Sequence, residues 1–135
     1  MPKPKRTPHT APTVTWLEAP QSHDFPAAAS YLALIAPDEQ VSALIEALHT
    51  APPIRHKAKD LLRASRLPLL DMHNVHVRSD LAKITAGQPL SPVLLVRGDL
   101  LSGIPLHIAD GYHRVCASYH TDENTDIPCR LVPAR

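Results

Sequence analysis

Residues 108–117 read Ile-Ala-Asp-Gly-Tyr-His-Arg-Val-Cys-Ala, a short apolar run followed by a glycine and a segment that favours a helix. This order predicts a strand, a tight turn and the start of a helix. The first amides of a helix have no internal hydrogen-bond partner and carry partial positive charge, so anions bind there readily. The stretch therefore predicts a phosphate-sized anion site formed by Asp110, Gly111, Tyr112, His113 and Arg114.

The residues of this motif have chemical roles that suit a phosphate. Arg114 would neutralise it through a forked contact and His113 would donate to an oxygen, so Arg114→Ala is expected to abolish binding and to leave the fold intact. Gly111 would allow close approach of the ligand or a positive φ. Asp110 would either cap the helix or hold Mg²⁺ through its carboxylate. A purely structural interpretation stays open, in which Asp110 is only an N-cap and Arg114 is a solvated helix residue.

The elements around the motif follow a characteristic order. We expect an extended lead-in, a short helix and three strands, at Leu69–Val77, Asp80–Ala86, Pro92–Arg97, Pro105–Ala109 and Ile127–Val132. In this order, and in its Gly-x-x-Arg motif, the segment 67–132 resembles the ParB/sulfiredoxin superfamily. The resemblance implies an α+β fold and a nucleotide or other phosphate ligand. It also allows phosphoryl transfer or nucleotide hydrolysis as activities.

The motif departs from both named branches of that superfamily. Sulfiredoxins read Gly-Cys-His-Arg and react through the cysteine, whereas this chain has Tyr112 at that place. A phenol with a pKa of about 10 is a poor nucleophile at neutral pH, so we do not expect sulfiredoxin chemistry. ParB proteins bind CTP phosphates here, but only the glycine and the arginine match their pattern. The catalytic residues stay unknown, with His107, Asp71 and Glu123 as candidates.

The composition is that of one folded domain. The chain has 135 residues, a formal net charge of +1 and 44% hydrophobic residues, which is enough for one core. Residues 1–12 are rich in proline and basic side chains, so we expect a flexible basic arm before a single domain over residues 13–135. No apolar run approaches the length of a membrane span or the core of a signal peptide, which favours a cytoplasmic protein. The two cysteines are expected to be buried free thiols.

Helical patterns fill the N-terminal half. Helices are predicted over Asp24–Ala36, from Asp38 to Thr50 and over Ile54–Ser65. Farther along, the run Val93–Val96 is apolar throughout, which indicates a central strand buried on both faces. It is expected to pair antiparallel with the strand that leads into the motif. The predicted fold is therefore α+β, a small mixed sheet with surrounding helices, preceded by a helical segment over about residues 24–65.

Basic side chains form a stripe on the third predicted helix and just beyond it, at Arg55, Lys57, Lys59, Arg63 and Arg66. Such a stripe supports an alternative function, a nucleic-acid- or partner-binding module of the ParB kind. It is equally compatible with a solvated helix face.

Histidine is frequent, with nine in the chain, and His73, His76, His107 and His113 could join Asp110 around a metal. Their spacing matches no zinc motif, so we expect no dedicated transition-metal site.

Overall fold

The computed structural model describes residues 12–134. Within that range a mixed sheet is formed by four strands, β1 (Ile54–Lys57), β2 (Val93–Val96), β3 (His107–Asp110) and β4 (Asp126–Val132). Their order is β1-β4-β2-β3, with β4 antiparallel to β1 and parallel to β2, and β2 antiparallel to β3. Five helices cover the sheet: α1 (Asp24–Leu32), α2 (Asp38–Thr50), α3 (Ala58–Ser65), α4 (Val75–Thr85) and α5 (Tyr112–Thr121). The predicted α+β class is confirmed.

Strand β2 lies at the centre of the molecule. None of its four side chains is more than 4% exposed. Val93 and Leu95 pack with residues of α3, α4 and α5, whereas Leu94 and Val96 pack with residues of α1 and α2. The alternation follows from the period of two in a strand, and it divides the apolar core into one layer on each face of the sheet. This confirms the predicted central strand and its antiparallel partner β3.

The helix predicted over Ile54–Ser65 is wrong in its first turn. Residues Ile54 to Lys57 form β1 instead, paired with β4 so that Ile54 lies opposite Cys129. Pro52 and Pro53 favour an extended backbone just before β1. Pairing with β1 then supplies hydrogen-bond partners for the backbone N–H and C=O groups along one edge of β4. Tertiary pairing thus overrides the apolar spacing that favoured a helix. Helix α3 begins only at Ala58.

The extended lead-in predicted over Leu69–Val77 is wrong from Met72 onward, where a turn leads into a helix. Helix α4 begins at Val75, because the side chain of Asn74 accepts hydrogen bonds from the amides of His76 and Val77 at 2.9 and 3.2 Å. Asparagine is among the best N-cap residues, and it satisfies amides that would otherwise lack partners. The helix therefore starts about one turn before the residues at which it was predicted.

The remaining expectations on the N-terminal part have mixed outcomes. Val41, Leu44 and Leu48 are buried on α2, as its apolar spacing predicted. Helix α1 ends at Leu32, and residues 33–35 continue as a turn before Pro37. The basic arm predicted over residues 1–12 lies, except for its last residue, outside the described part of the chain. None of the helices between residues 12 and 134 has both the length and the apolar character that crossing a bilayer requires.

Candidate functional site

The motif forms the strand, turn and helix start that its sequence predicts. Strand β3 ends at Asp110, Gly111 has φ +112°, and α5 follows. A Cβ atom on Gly111 would lie 2.4 Å from Cγ1 of Val93, so the turn needs glycine for its conformation and for its close packing on β2. The first helical hydrogen bond of α5 runs from the amide of Val115 to the carbonyl of Gly111 at 3.0 Å. The three amides before Val115 therefore have no partner within the helix.

The carboxylate of Asp110 does not cap α5. Gly111 is the N-cap residue, and no side chain within residues 12–134 caps the first turn. Asp110 instead accepts a hydrogen bond from Nη2 of Arg114 at 2.9 Å, because the two side chains lie four residues apart across the turn. The predicted N-cap role of Asp110 is wrong, and the start of α5 stays open to other acceptors.

Arg114 joins two carboxylates beneath the motif. Its Nη1 lies 3.8 Å from Oδ1 of Asp24 on α1, a side chain that is only 2% exposed, and Arg114 itself is 16% exposed. Arg114 is therefore not the solvated helix residue of the structural interpretation. Burial raises the pKa of Asp110, and the neighbouring Asp24 raises it further against the lowering effect of Arg114. This ion triad of Asp24, Asp110 and Arg114 connects α1, β3 and α5.

A polar cleft of about 220 Å³ lies between α4 and the start of α5. Four residues of the predicted site line it, namely Asp110, Gly111, His113 and Arg114. Tyr112 does not, because its hydroxyl donates a hydrogen bond to the carbonyl of Pro68 in the segment between α3 and α4. The motif and α4 together enclose a volume that suits a phosphate group.

Helix α4 supplies the other half of the cleft, with four residues that were not predicted as part of the phosphate site; one of them, His76, was considered from sequence only as a metal ligand. They are His76, Ser79, Asp80 and Lys83. Their spacing of i, i+3, i+4 and i+7 puts them on one helix face. This spacing is present in the sequence, but it indicates a shared helix face only if the helix begins at Val75, about one turn earlier than predicted.

Titratable groups interact closely inside the cleft. The ring centroids of His76 and His113 are 4.7 Å apart. Burial lowers the pKa of His113, and the neighbouring His76 lowers it further. Burial also raises the pKa of Asp80, although Nζ of Lys83 lies 3.9 Å from its Oδ1. Groups whose pKa values are displaced in this way inside a cleft are typical of functional sites.

The other histidines and candidate catalytic groups lie outside this cleft. Nδ1 of His107 is 2.8 Å from the hydroxyl of Tyr31, and Asp71 accepts a hydrogen bond from the amide of His73. Glu123 is exposed in the segment after α5. Between residues 12 and 134, no group of three or more histidine, cysteine or acidic side chains is placed to hold a metal ion.

Both cysteines are buried free thiols, as predicted. Cys116 and Cys129 have no exposed surface. Burial raises the pKa of Cys116 and raises that of Cys129 to about 12. A thiol that stays protonated at neutral pH is a poor nucleophile, so neither cysteine is suited to react at the motif.

The basic stripe is divided between elements. Lys59 and Arg63 on α3 share a groove with Arg66, whereas Arg55 on β1 lines a different cavity beside Trp16. The stripe is divided because residues 54–57 form strand β1 and not the first turn of the predicted helix. A strand and a helix place successive side chains with different periods. Nucleic-acid binding stays a prediction, with three of the five basic residues on one surface.

Comparison of the chain with protein-family models, with curated proteins and with solved structures finds no match.

Proposed function

We propose that this chain binds a small phosphate-bearing molecule in the cleft between α4 and the start of α5. The observation that carries the proposal is the convergence of the uncapped start of α5 with His113 and with Lys83 of α4 around one polar cavity. Amides at a helix start, an imidazole and an ammonium group are all donors to phosphate oxygens.

The structure changes the role that we propose for Arg114. Because its guanidinium already contacts Asp110 and Asp24, Arg114 holds the turn in place and neutralises buried charge. Its Nε is buried and has no hydrogen-bond partner among the described residues. Buried donors without a partner are uncommon in folded proteins, so this Nε adds to the cost of burying Arg114.

The size of the cleft fits the phosphate part of the ligand. Sites that enclose a whole small molecule usually measure roughly 300 to 1,000 Å³, and this cleft is about 220 Å³. A nucleotide, the class that the ParB/sulfiredoxin resemblance implies, would place its phosphates in the cleft and its base outside. Asp110 is engaged by Arg114, and no chemical step is assigned to a metal.

Replacing the two donors should weaken binding without harming the fold. We expect Lys83→Gln and His113→Gln each to lower the affinity for pyrophosphate about tenfold or more, because hydrogen bonds to charged groups contribute roughly 1.5 to 3 kcal/mol. Isothermal titration calorimetry, with and without Mg²⁺, measures the effect. Lys59→Gln is the matched control, since Lys59 is an exposed lysine of α3 outside the cleft. Failure of the wild type to bind phosphate, pyrophosphate or any nucleotide would exclude the proposal.

Binding of an anion should also be coupled to proton uptake. Burial lowers the pKa of His113 and raises that of Asp80, and an anion would favour the protonated form of both. Affinity is therefore expected to rise as the pH falls from about 7.5 to about 5.5, and His113→Gln should flatten this dependence. Sulfate is the probe for this titration, because its own charge does not change in that interval. An affinity that rises with pH would contradict the assignment.

A further inference from the structure

A second and larger cavity, of about 500 Å³, lies at the opposite end of β2 from the motif. Its apolar wall includes Leu61 of α3, Leu95 of β2, and Leu106 and Leu131 beside them. Val93 packs beneath Gly111 and Arg97 follows the far end of β2, so the two sites are separated by the strand's length, roughly 13 Å. This cavity is independent of the phosphate cleft.

One wall of the cavity is a closed hairpin rather than a loose loop. The backbones of Asp99 and Ile104 exchange two hydrogen bonds, each 2.9 Å long. Gly98 packs so closely that a Cβ atom there would lie 2.2 Å from the carbonyl oxygen of Ile104. The hairpin nevertheless leaves Leu100 91% exposed and Ile104 50% exposed, although both line the cavity. An apolar occupant would remove this surface from water.

Cations predominate at the mouth of the same cavity. Arg63, Arg66 and Arg97 line it together with two acidic residues, Asp60 and Asp99. The acids are already engaged: Asp60 lies 3.3 Å from Arg63, and Asp99 accepts from the amide of Leu101 and the hydroxyl of Ser102 within the hairpin. Nη1 of Arg66 donates to the carbonyl of Gly103, and Arg97 has no acidic side chain within 4.0 Å in the range 12–134.

We propose that this cavity binds an amphipathic anion, a carboxylate attached to an apolar chain. The chain would lie against the half-buried Leu106 and Leu131 and would cover Leu100 and Ile104. The carboxylate would pair with Arg66 and Arg97 at the mouth. A cavity of this volume, lined mainly by apolar residues with a few charged groups, has the character of small-molecule sites in general. The planar guanidinium group matches a carboxylate in a forked geometry, which fixes the orientation of the ligand.

Decanoate tests the proposal by titration calorimetry, with decanol and acetate as probes that each lack one half of the ligand. We expect decanoate to bind at least about tenfold more tightly than either, because both the chain and the charge contribute. Arg66→Gln, Arg97→Gln and Leu100→Ser should each weaken decanoate binding by about fivefold or more. Arg55→Gln is the matched control on the exposed face of β1, and His113→Gln tests independence from the phosphate cleft; both should leave the affinity unchanged.

Three results would overturn this assignment. If decanol bound as tightly as decanoate, the site would not require an anion. If neither arginine variant changed the affinity for decanoate, the carboxylate would not bind at the mouth of this cavity. A dimer that depends on concentration and is disrupted by Leu100→Ser, together with no binding of decanoate, would assign the cavity to a second copy of the chain. Arg97 and Leu100 are exposed, so folded variants are expected, and circular dichroism checks this.

Discussion

Arg114→Ala is expected to lower the free energy of unfolding by about 3 to 5 kcal/mol, because it leaves buried carboxylates without their cation. Asp24 is 2% exposed and Asp110 is 18% exposed. Without Arg114, Asp24 keeps, within the part of the chain that the structure describes, only the amide of Gln21 at 2.9 Å and the exposed imidazole of His23 at 3.5 Å. Urea denaturation at neutral pH measures the loss. Burial raises the pKa of Asp110, so the loss should shrink as the pH falls, since protonation of Asp110 removes a charge that Arg114 otherwise balances.

Arg63→Ala is the matched control for this experiment. Arg63 also pairs with an aspartate, Asp60, but its side chain is 85% exposed, and an exposed pair contributes little to stability. If both variants lost less than about 1 kcal/mol, the ion triad would not hold the motif together. The expectation from sequence, that Arg114 can be removed with the fold intact, is therefore withdrawn, and Arg114→Ala is unsuitable as a simple test of ligand binding.

Gly111→Ala is expected to cost about 2 to 5 kcal/mol of unfolding free energy, from the strain of a side chain at this φ together with overpacking of the core. The added methyl group would lie 2.4 Å from Cγ1 of Val93, a fully buried residue, and 2.9 Å from Nη2 of Arg114. Because the variant also displaces the start of α5, we expect it to weaken phosphate binding. Denaturant unfolding and pyrophosphate titration of the same sample measure both effects.

Gly87→Ala separates strain from overpacking. Gly87 has φ +74° at the end of α4, and an added Cβ atom would meet nothing within 4 Å. Its cost should be only about 1 kcal/mol. Equal losses at the two glycines would contradict the packing of Gly111 on β2. In addition, the double variant Val93→Ala/Gly111→Ala should lose less unfolding free energy than the sum of the losses in the two single variants, because the smaller residue at position 93 makes room for the added methyl group.

The sequence predicted those elements whose signals are local. The apolar run of β2 indicated burial on both faces, and the order of strand, glycine and helix around Asp110 located the motif. Both signals are short in range and depend on a single type of periodicity or turn. The start of α4 is an exception, because it was mispredicted although its N-cap residue, Asn74, directly precedes the helix.

The other parts that were missed depend on distant contacts. Residues Arg55 to Lys57 show no apolar alternation, and they form a strand only because β4 provides a partner about seventy residues later. The contact of Asp24 with Arg114 joins α1 to α5, and no spacing in the sequence indicates it. As a result, the sequence placed Arg114 on the ligand, whereas the fold places its guanidinium against two carboxylates.

A titration of ¹⁵N-labelled protein with pyrophosphate, followed by two-dimensional NMR at neutral pH, tests the central proposal most directly. The account predicts saturable shifts of the amides of Tyr112, His113 and Arg114 and of Ser79 and Lys83 on α4, with Arg97 at the other cavity unaffected. Lys83→Gln should require about tenfold more pyrophosphate for the same shifts. Shifts confined to the groove of Lys59, Arg63 and Arg66, or no saturable shift at all, would contradict a phosphate site at the start of α5.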